Sequence, residues 1–320
     1  MRAILTTALL AFSATTTIAL ADTPVTYPPS AYKDGAVKCM QSQSWVCAEK
    51  NWTQYLKMRP NDSKAMANLA IVYNWDDKPE PAIVQAEKSI GLGEGTYDLF
   101  AAYAESLEKV GRNDEAIDWS YKTLQILPSL VNVRGDLAKL LLGKKREYEA
   151  LALLSSFDAS TDAQGYGRYF EGQRIAIESS IDRQGATAAA AQKNIRLPKN
   201  GDHFYAPVKV GDANFEAFVV DTGASKTSMS EELLAASKAP YKVVQASVSA
   251  QLADGRKTTG RMVTLDTLKV GPFDMHKVTI FVCRSCAPLL GQGSLSQFNM
   301  VSSKTQGVEF MTLELRAANR

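Results

Sequence analysis

Histidine is nearly absent from this chain, with only His203 and His276 among 320 residues, and neither has a partner at ligand spacing. So few imidazoles work against a Ser or Cys triad, and the chain also has no His-Glu-x-x-His and no Gly-x-Ser-x-Gly. An excess of one charge is missing too. Lys and Arg number 36 against 34 Asp and Glu, a net +2 without runs of like charge, so nothing electrostatic favours nucleic acid or an acidic membrane surface as partner. Cysteine is sparse. A single Cys-x2-Cys (Cys283, Cys286) without a second ligand pair does not make a zinc site, and no metal or other cofactor is expected. Beyond the first 21 residues no segment is apolar enough to span a bilayer, which speaks against stable membrane insertion.

The one long apolar stretch is at the start. Met1-Arg2 precedes an apolar run from Ala3 to Leu20, interrupted by Thr15-Thr16-Thr17, and Ala19-Leu20-Ala21 forms a small-x-small cleavage site. Residues 1–21 therefore read as a signal peptide and 22–35 as an N-terminal segment, which implies a periplasmic or secreted protein. No Cys follows the cleavage site, so a lipid anchor is not indicated. Export makes Cys39 with Cys47, and Cys283 with Cys286, candidate disulfides, with buried thiols as the alternative. A thioredoxin-like role would place Cys-x2-Cys at a helix start, whereas here it lies between an apolar strand and Pro288.

Residues 36–158 repeat. Ala70, Ala104 and Ala138 are 34 residues apart, as are Ala82, Ala116 and Ala150. Large apolar residues flank them at matching positions: Leu69, Tyr103 and Leu137 before the first set, Ile83, Ile117 and Leu151 after the second. Small residues at two fixed points let paired helices approach, and the large ones fill the gap to the next pair. The spacing and the alanines resemble the tetratricopeptide (TPR) repeat, with Pro60 and Pro128 ending units. Register puts Ala48 and Trp52 in a half-unit, so about three and a half repeats are expected, with Trp75 to Pro79 an irregular turn. Such an array offers a surface for a substrate or a regulatory partner.

Residues 159–193 read as a capping helix and linker, with a turn at Pro198-Lys199-Asn200-Gly201-Asp202, and residues 194–320 as a small all-β domain. Phe204 to Val210 and Phe215 to Val220 are strands around a turn, and Val243 to Leu252 and Lys257 to Leu265 flank Asp254-Gly255, a hairpin signal. Further strands are expected at Leu268 to Val270, Val278 to Val282 and Gly307 to Leu315, with a short helix at Ser294 to Phe298. So many short strands suggest a barrel-like fold.

Two motifs bracket this domain. Val219-Val220-Asp221-Thr222-Gly223-Ala224-Ser225 opens it, and Leu289-Leu290-Gly291, leading into Gln292-Gly293-Ser294-Leu295, stands near its end. In this order, with the Asp254-Gly255 hairpin between, they resemble the retropepsin-like aspartic proteases. The resemblance implies that Asp221, Thr222 and Gly223 form the catalytic loop. It further implies that Ala224, Ser225, Leu290 and Gly291 and the flap residues Ala253, Asp254 and Gly255 surround the substrate. Ser225 and Gln292 stand where retroviral relatives often carry an acid and an arginine, and both are uncharged here.

Hydrolysis by such a site needs two carboxylates close enough to share one proton. The chain holds one Asp-Thr-Gly and no Asp-Ser-Gly, so the second carboxylate must come from Asp221 of another copy, in a two-fold homodimer. The expectation is an exported aspartic endopeptidase acting on a protein or peptide substrate. Two alternatives remain open: an inactive peptide-binding scaffold that keeps the protease fold, and a redox protein using Cys283 and Cys286.

Overall fold

The computed structural model describes residues 27–251, 255 and 257–316, residues 185–191 by their helical backbone. The proposed signal peptide lies outside them. The array consists of α1 (Pro29–Gln41), α2 (Trp45–Met58), α3 (Ser63–Trp75), α4 (Pro79–Gly91), α5 (Tyr97–Lys109), α6 (Asn113–Ile126), α7 (Val131–Gly143) and α8 (Glu147–Ala163). Odd-numbered helices begin at 29, 63, 97 and 131 and even-numbered ones at 45, 79, 113 and 147, so both sets advance by 34. There are four complete pairs rather than three and a half, because α1 completes the unit of Ala48 and Trp52. The six periodic alanines are all buried at the contacts between helices, where a larger side chain would hold the backbones apart.

One turn serves all four pairs. Gln43, Asp77, Gly111 and Lys145, also 34 apart, have positive φ of 55°, 53°, 78° and 56°. The residue after each donates its N–H back across the turn: Ser44 to Cys39 O, Lys78 to Tyr73 O, Arg112 to Leu107 O and Arg146 to Leu141 O. These bonds satisfy carbonyls that the end of a helix leaves open. Trp75 to Pro79, expected to be irregular, is thus the ordinary turn of the array, and Pro79 begins α4 where its missing N–H costs nothing.

Helix α9 (Glu171–Ala191) follows and packs on α8, with the Phe157 and Phe170 rings 5.6 Å apart. Then come β1 (Asn194–Asn200), β2 (His203–Val210), β3 (Glu216–Val220), β4 (Ser228–Ser230), α10 (Glu231–Ser237), β5 (Tyr241–Gln251), β6 (Lys257–Val270), β7 (Phe273–Cys283), β8 (Leu289–Leu290), α11 (Gln292–Leu295), β9 (Phe298–Thr305) and β10 (Val308–Leu315). The strands form one sheet in the order β5-β6-β7-β4-β8-β3-β2-β1-β10-β9, with β6 also pairing β2.

The expected barrel does not close. The β6–β2 pairing that folds the sheet back covers only Val208 to Val210, and β5 and β9 remain as edges. The short strand at Leu268 to Val270 is the end of β6, which runs on from the hairpin. Pro198, expected in a turn, lies within β1 opposite Phe310, and the chain reverses at Gly201, whose φ is 60°. Strands β1 and β9 and helix α10 were not legible.

Array and sheet share one core. Tyr121, Leu124, Leu137, Leu151 and Leu154 belong to the same buried cluster as Ile195, Leu197, Phe215, Phe218 and Phe310. Tyr121 meets Phe310 edge-on at 5.1 Å, Tyr148 meets Phe215 at 5.8 Å, and the Arg196 guanidinium lies 3.4 Å over the Phe310 ring. A charge network, buried at Asp158, Arg174 and Glu178 and partly exposed at Arg168 and Glu216, fixes the start of β3. Glu178 Oε2 accepts from Phe215 N–H at 3.1 Å, Arg174 donates to Phe215 O and pairs with Asp158 at 3.2 Å, and Arg168 pairs with Glu216 at 2.7 Å.

Candidate active site

Strand β3 carries the chain to Asp221 between β2, antiparallel, and β8, parallel, where Val219 faces Leu289 and Val220 faces Leu290. Val219 N–H donates to Pro288 O at 3.0 Å and Asp221 N–H to Leu290 O at 3.1 Å. The second motif is therefore hydrogen-bonded along the back of the first. Half-buried Asp221 turns its Oδ1 onto its own loop, accepting from Gly223 N–H at 2.8 Å and Ala224 N–H at 3.2 Å. This carboxylate-to-backbone turn fixes the side chain without help from another element.

Gly291 is where the two motifs come closest. A Cβ there would fall 2.3 Å from Lys226 O and 2.8 Å from Ala224 O, so only glycine fits. Just after it, Gln292 N–H donates to Ala224 O (2.8 Å) and Gly293 N–H to Ser225 O (3.1 Å). The Gln292 amide donates to Thr222 O at 3.1 Å. An uncharged side chain in this position thus supports the loop through its backbone.

Thr222, the middle residue of the expected catalytic loop, carries a hydroxyl. Its side chain is exposed, and that hydroxyl makes no hydrogen bond among the described residues. Within the chain, Thr227 ties the loop to the second motif. Fully buried, it shares a 2.7 Å hydrogen bond with Ser294 Oγ, accepts from Gly291 N–H at 3.2 Å, and its carbonyl takes Phe281 N–H at 2.9 Å.

Asp221, Gly223, Ala224 and Ser225 line a cavity of about 850 Å3 whose far wall is the β5–β6 hairpin, through Gln245, Val248, Ser249, Ala250, Gln251 and Met262. Phe281, Cys286, Leu289 and Ser228 form its side. Leu290 and Gly291, expected at the substrate, are buried behind the loop instead, and Leu289 faces the cavity in their place. Gly255 is described, with φ of 82°, but is not part of the wall; Ala253 and Asp254 lie outside the described residues. Nothing in the sequence marked Thr227, Lys226, Met262 or Phe281, since pairing across strands, not a local motif, brings them here.

Two features hold the hairpin over the cavity. Arg261 makes a two-pronged pair with Glu231 at the start of α10 (2.9 and 2.7 Å). Gly260 lets β6 pass close to β7, where a Cβ would meet Val282 O at 2.3 Å. Both cysteine pairs are disulfides, Cys39–Cys47 and Cys283–Cys286. Among the described residues no cluster of three or more His, Cys, Asp or Glu could hold a metal ion.

Residues 206–297, from β2 through α11, match the family described as aspartyl protease. The C-terminal sheet domain thus carries an aspartyl protease family match, over residues that include both of its retropepsin-like motifs. None of the curated proteins compared matches in sequence. Solved structures align over the array. A crystal structure of the MamA protein has 15% identity and TM-score 0.35, over 43% of this chain and 83% of that one. The TPR domain of Arabidopsis OM64 gives 14% and 0.34, over 35% and 93%. The first TPR of RPAP3 bound to an HSP90 peptide gives 15% and 0.34, over 36% and 92%. Likeness at this level leaves the TPR character of the array resting on its own four-fold period.

Proposed function

We propose that this chain is an exported aspartic endopeptidase that works as a homodimer, with Asp221 of two copies sharing one site and the TPR-like array docking the substrate or a regulator. The observation that carries the reading is the carboxylate of Asp221, held by its own loop in a cavity of about 850 Å3 walled by the β5–β6 hairpin. Two such carboxylates a few ångströms apart cannot both ionise, so they hold one proton between them. The ionised one takes a proton from water as its oxygen attacks the peptide carbonyl, and the protonated one gives its proton to the carbonyl oxygen. Collapse of the tetrahedral species then breaks the C–N bond as the nitrogen gains a proton. The substrate would lie extended along the hairpin.

The second copy would seat at β9. This eight-residue edge strand follows α11 directly and exposes Met300 and Val301, at 37% and 55%. Antiparallel pairing of two β9 strands about Val301 and Ser302 would set Lys304 opposite Asn299, without a like-charge clash. Export is supported by the Ala19-Leu20-Ala21 site in the sequence and by two disulfides, which suit an oxidising compartment. Comparing exported proteins from cells carrying wild type or Asp221→Asn tests the reading. Full-length proteins should accumulate only with the variant, and identical protein patterns would refute it.

A further inference from the structure

The Cys283–Cys286 disulfide is not a remote staple. Cys283 ends β7 beside Ser230 of β4, and Cys286 lies in the segment that leads into β8. Both are buried, at 1% and 5% exposure, and with Phe281 they form a small apolar cluster apart from the main core. The residues packed on that cluster are Val248, Ala250 and Met262, which come from the two arms of the hairpin over the cavity. Cys286 itself faces the cavity that holds Asp221.

The residues that follow the disulfide directly support the strands beside it. Ala287 O accepts from Ser228 Oγ at 3.0 Å, and Pro288 O accepts from Val219 N–H at 3.0 Å, two residues before Asp221. One covalent link thus joins a wall of the cavity to the seat of the hairpin, two residues before the carbonyl that bonds β3. Cys39–Cys47, in α1 and α2, touches none of these.

We propose that Cys283 and Cys286 are positioning residues of the cleft, and that a dithiol reductant entering the empty cavity lowers its activity by opening their disulfide. The inference rests on the protease reading above. A thiolate of the dithiol attacks one cystine sulfur and the Cys283–Cys286 bond breaks. The second thiol then displaces the mixed disulfide, so the dithiol leaves as a cyclic disulfide and the protein gains two electrons and two protons as two thiols. Bound peptide fills the cavity and shields Cys286.

The test treats the folded full chain with dithiothreitol for timed intervals and alkylates the new thiols. It compares chain alone with chain holding a peptide in which a hydroxyethylene group replaces the scissile bond, and measures kcat and KM on a cleaved peptide at each time. Cys283 and Cys286 should label at least about tenfold more slowly with the cavity filled, while Cys39 and Cys47 label at an unchanged rate. Reduction should lower kcat/KM about tenfold, mainly through KM, because the wall and hairpin seat contact substrate while the Asp221 turn is closed by its own loop. The double variant Cys283→Ser/Cys286→Ser should start at the reduced value and ignore dithiothreitol. If that variant fails to fold, reduction of the folded wild type with far-ultraviolet dichroism unchanged makes the same comparison. Labelling indifferent to the peptide, or turnover indifferent to reduction, overturns the proposal while leaving the protease reading intact. Absence of turnover in every oxidised preparation sinks the protease reading and this proposal with it.

Discussion

Replacing Gly291 by alanine tests whether the second motif positions the first. The backbone at Gly291 has φ of −95°, which any residue accepts, so the effect is purely one of space. The added Cβ would lie 2.3 Å from Lys226 O, 2.5 Å from Lys226 C and 2.8 Å from Ala224 O. Carbon prefers contacts near ~3.5 Å, so the loop carrying Asp221 must retreat by about 1 Å. All three clashing atoms are backbone and cannot swing aside. Overpacking of this kind costs about 1–3 kcal/mol, and an error of about 1 Å in reacting groups costs about 100-fold in rate. Urea denaturation and peptide cleavage would read the two effects separately. Gly293→Ala is the control: its nearest neighbours stand 3.7 Å away, so stability should change by less than about 0.5 kcal/mol and kcat should hold. Wild-type kcat in Gly291→Ala would refute the coupling.

Arg174→Met leaves the carboxylate of Asp158 buried without its cation, and should cost about 3–5 kcal/mol in urea denaturation, with array and sheet melting together. Burial, the largest influence, raises the Glu178 carboxyl above its ordinary 4.5. The folded chain therefore keeps a proton that the unfolded chain releases, so this stabilisation is complete below about pH 4.5 and fades as pH rises through the higher folded value. Glu178→Gln, which still accepts from Phe215 N–H, should flatten that decline in denaturation midpoints measured from pH 4 to 7. Met300→Asp with Val301→Asp changes two exposed side chains, so the fold should survive while sedimentation shows monomer and cleavage falls. A dimer of unchanged stability would remove β9 from the interface.

The parts of this structure that could be read in advance are those encoded locally. The alanine period fixed helix spacing because close approach of two helices is decided residue by residue, and it recurs in the 34-residue steps of helix starts and turn residues. The positive-φ turn was hidden because glycine occupies it once in four units, at Gly111. Among the site residues, Asp221 and Gly291 were legible as motifs, but Leu290 and Gly291 could not be told from cavity residues without the pairing of β3 with β8. Thr227 looked like any polar residue after a loop until the fold brought Ser294 to it. Strand β1 escaped because Pro198 breaks the pattern of a strand, and the union of array and sheet escaped because alternating apolar residues do not say which surface they will meet.

Mixing chains gives the most direct test of a site built from two copies. Wild type would be held at constant concentration while Asp221→Asn chains, inactive alone, are added and allowed to exchange. If each site needs Asp221 from both copies, activity should fall to about one half at equal amounts and about one tenth at ninefold excess, following random pairing in a two-fold dimer. Activity that stays proportional to wild type at every ratio would contradict the account.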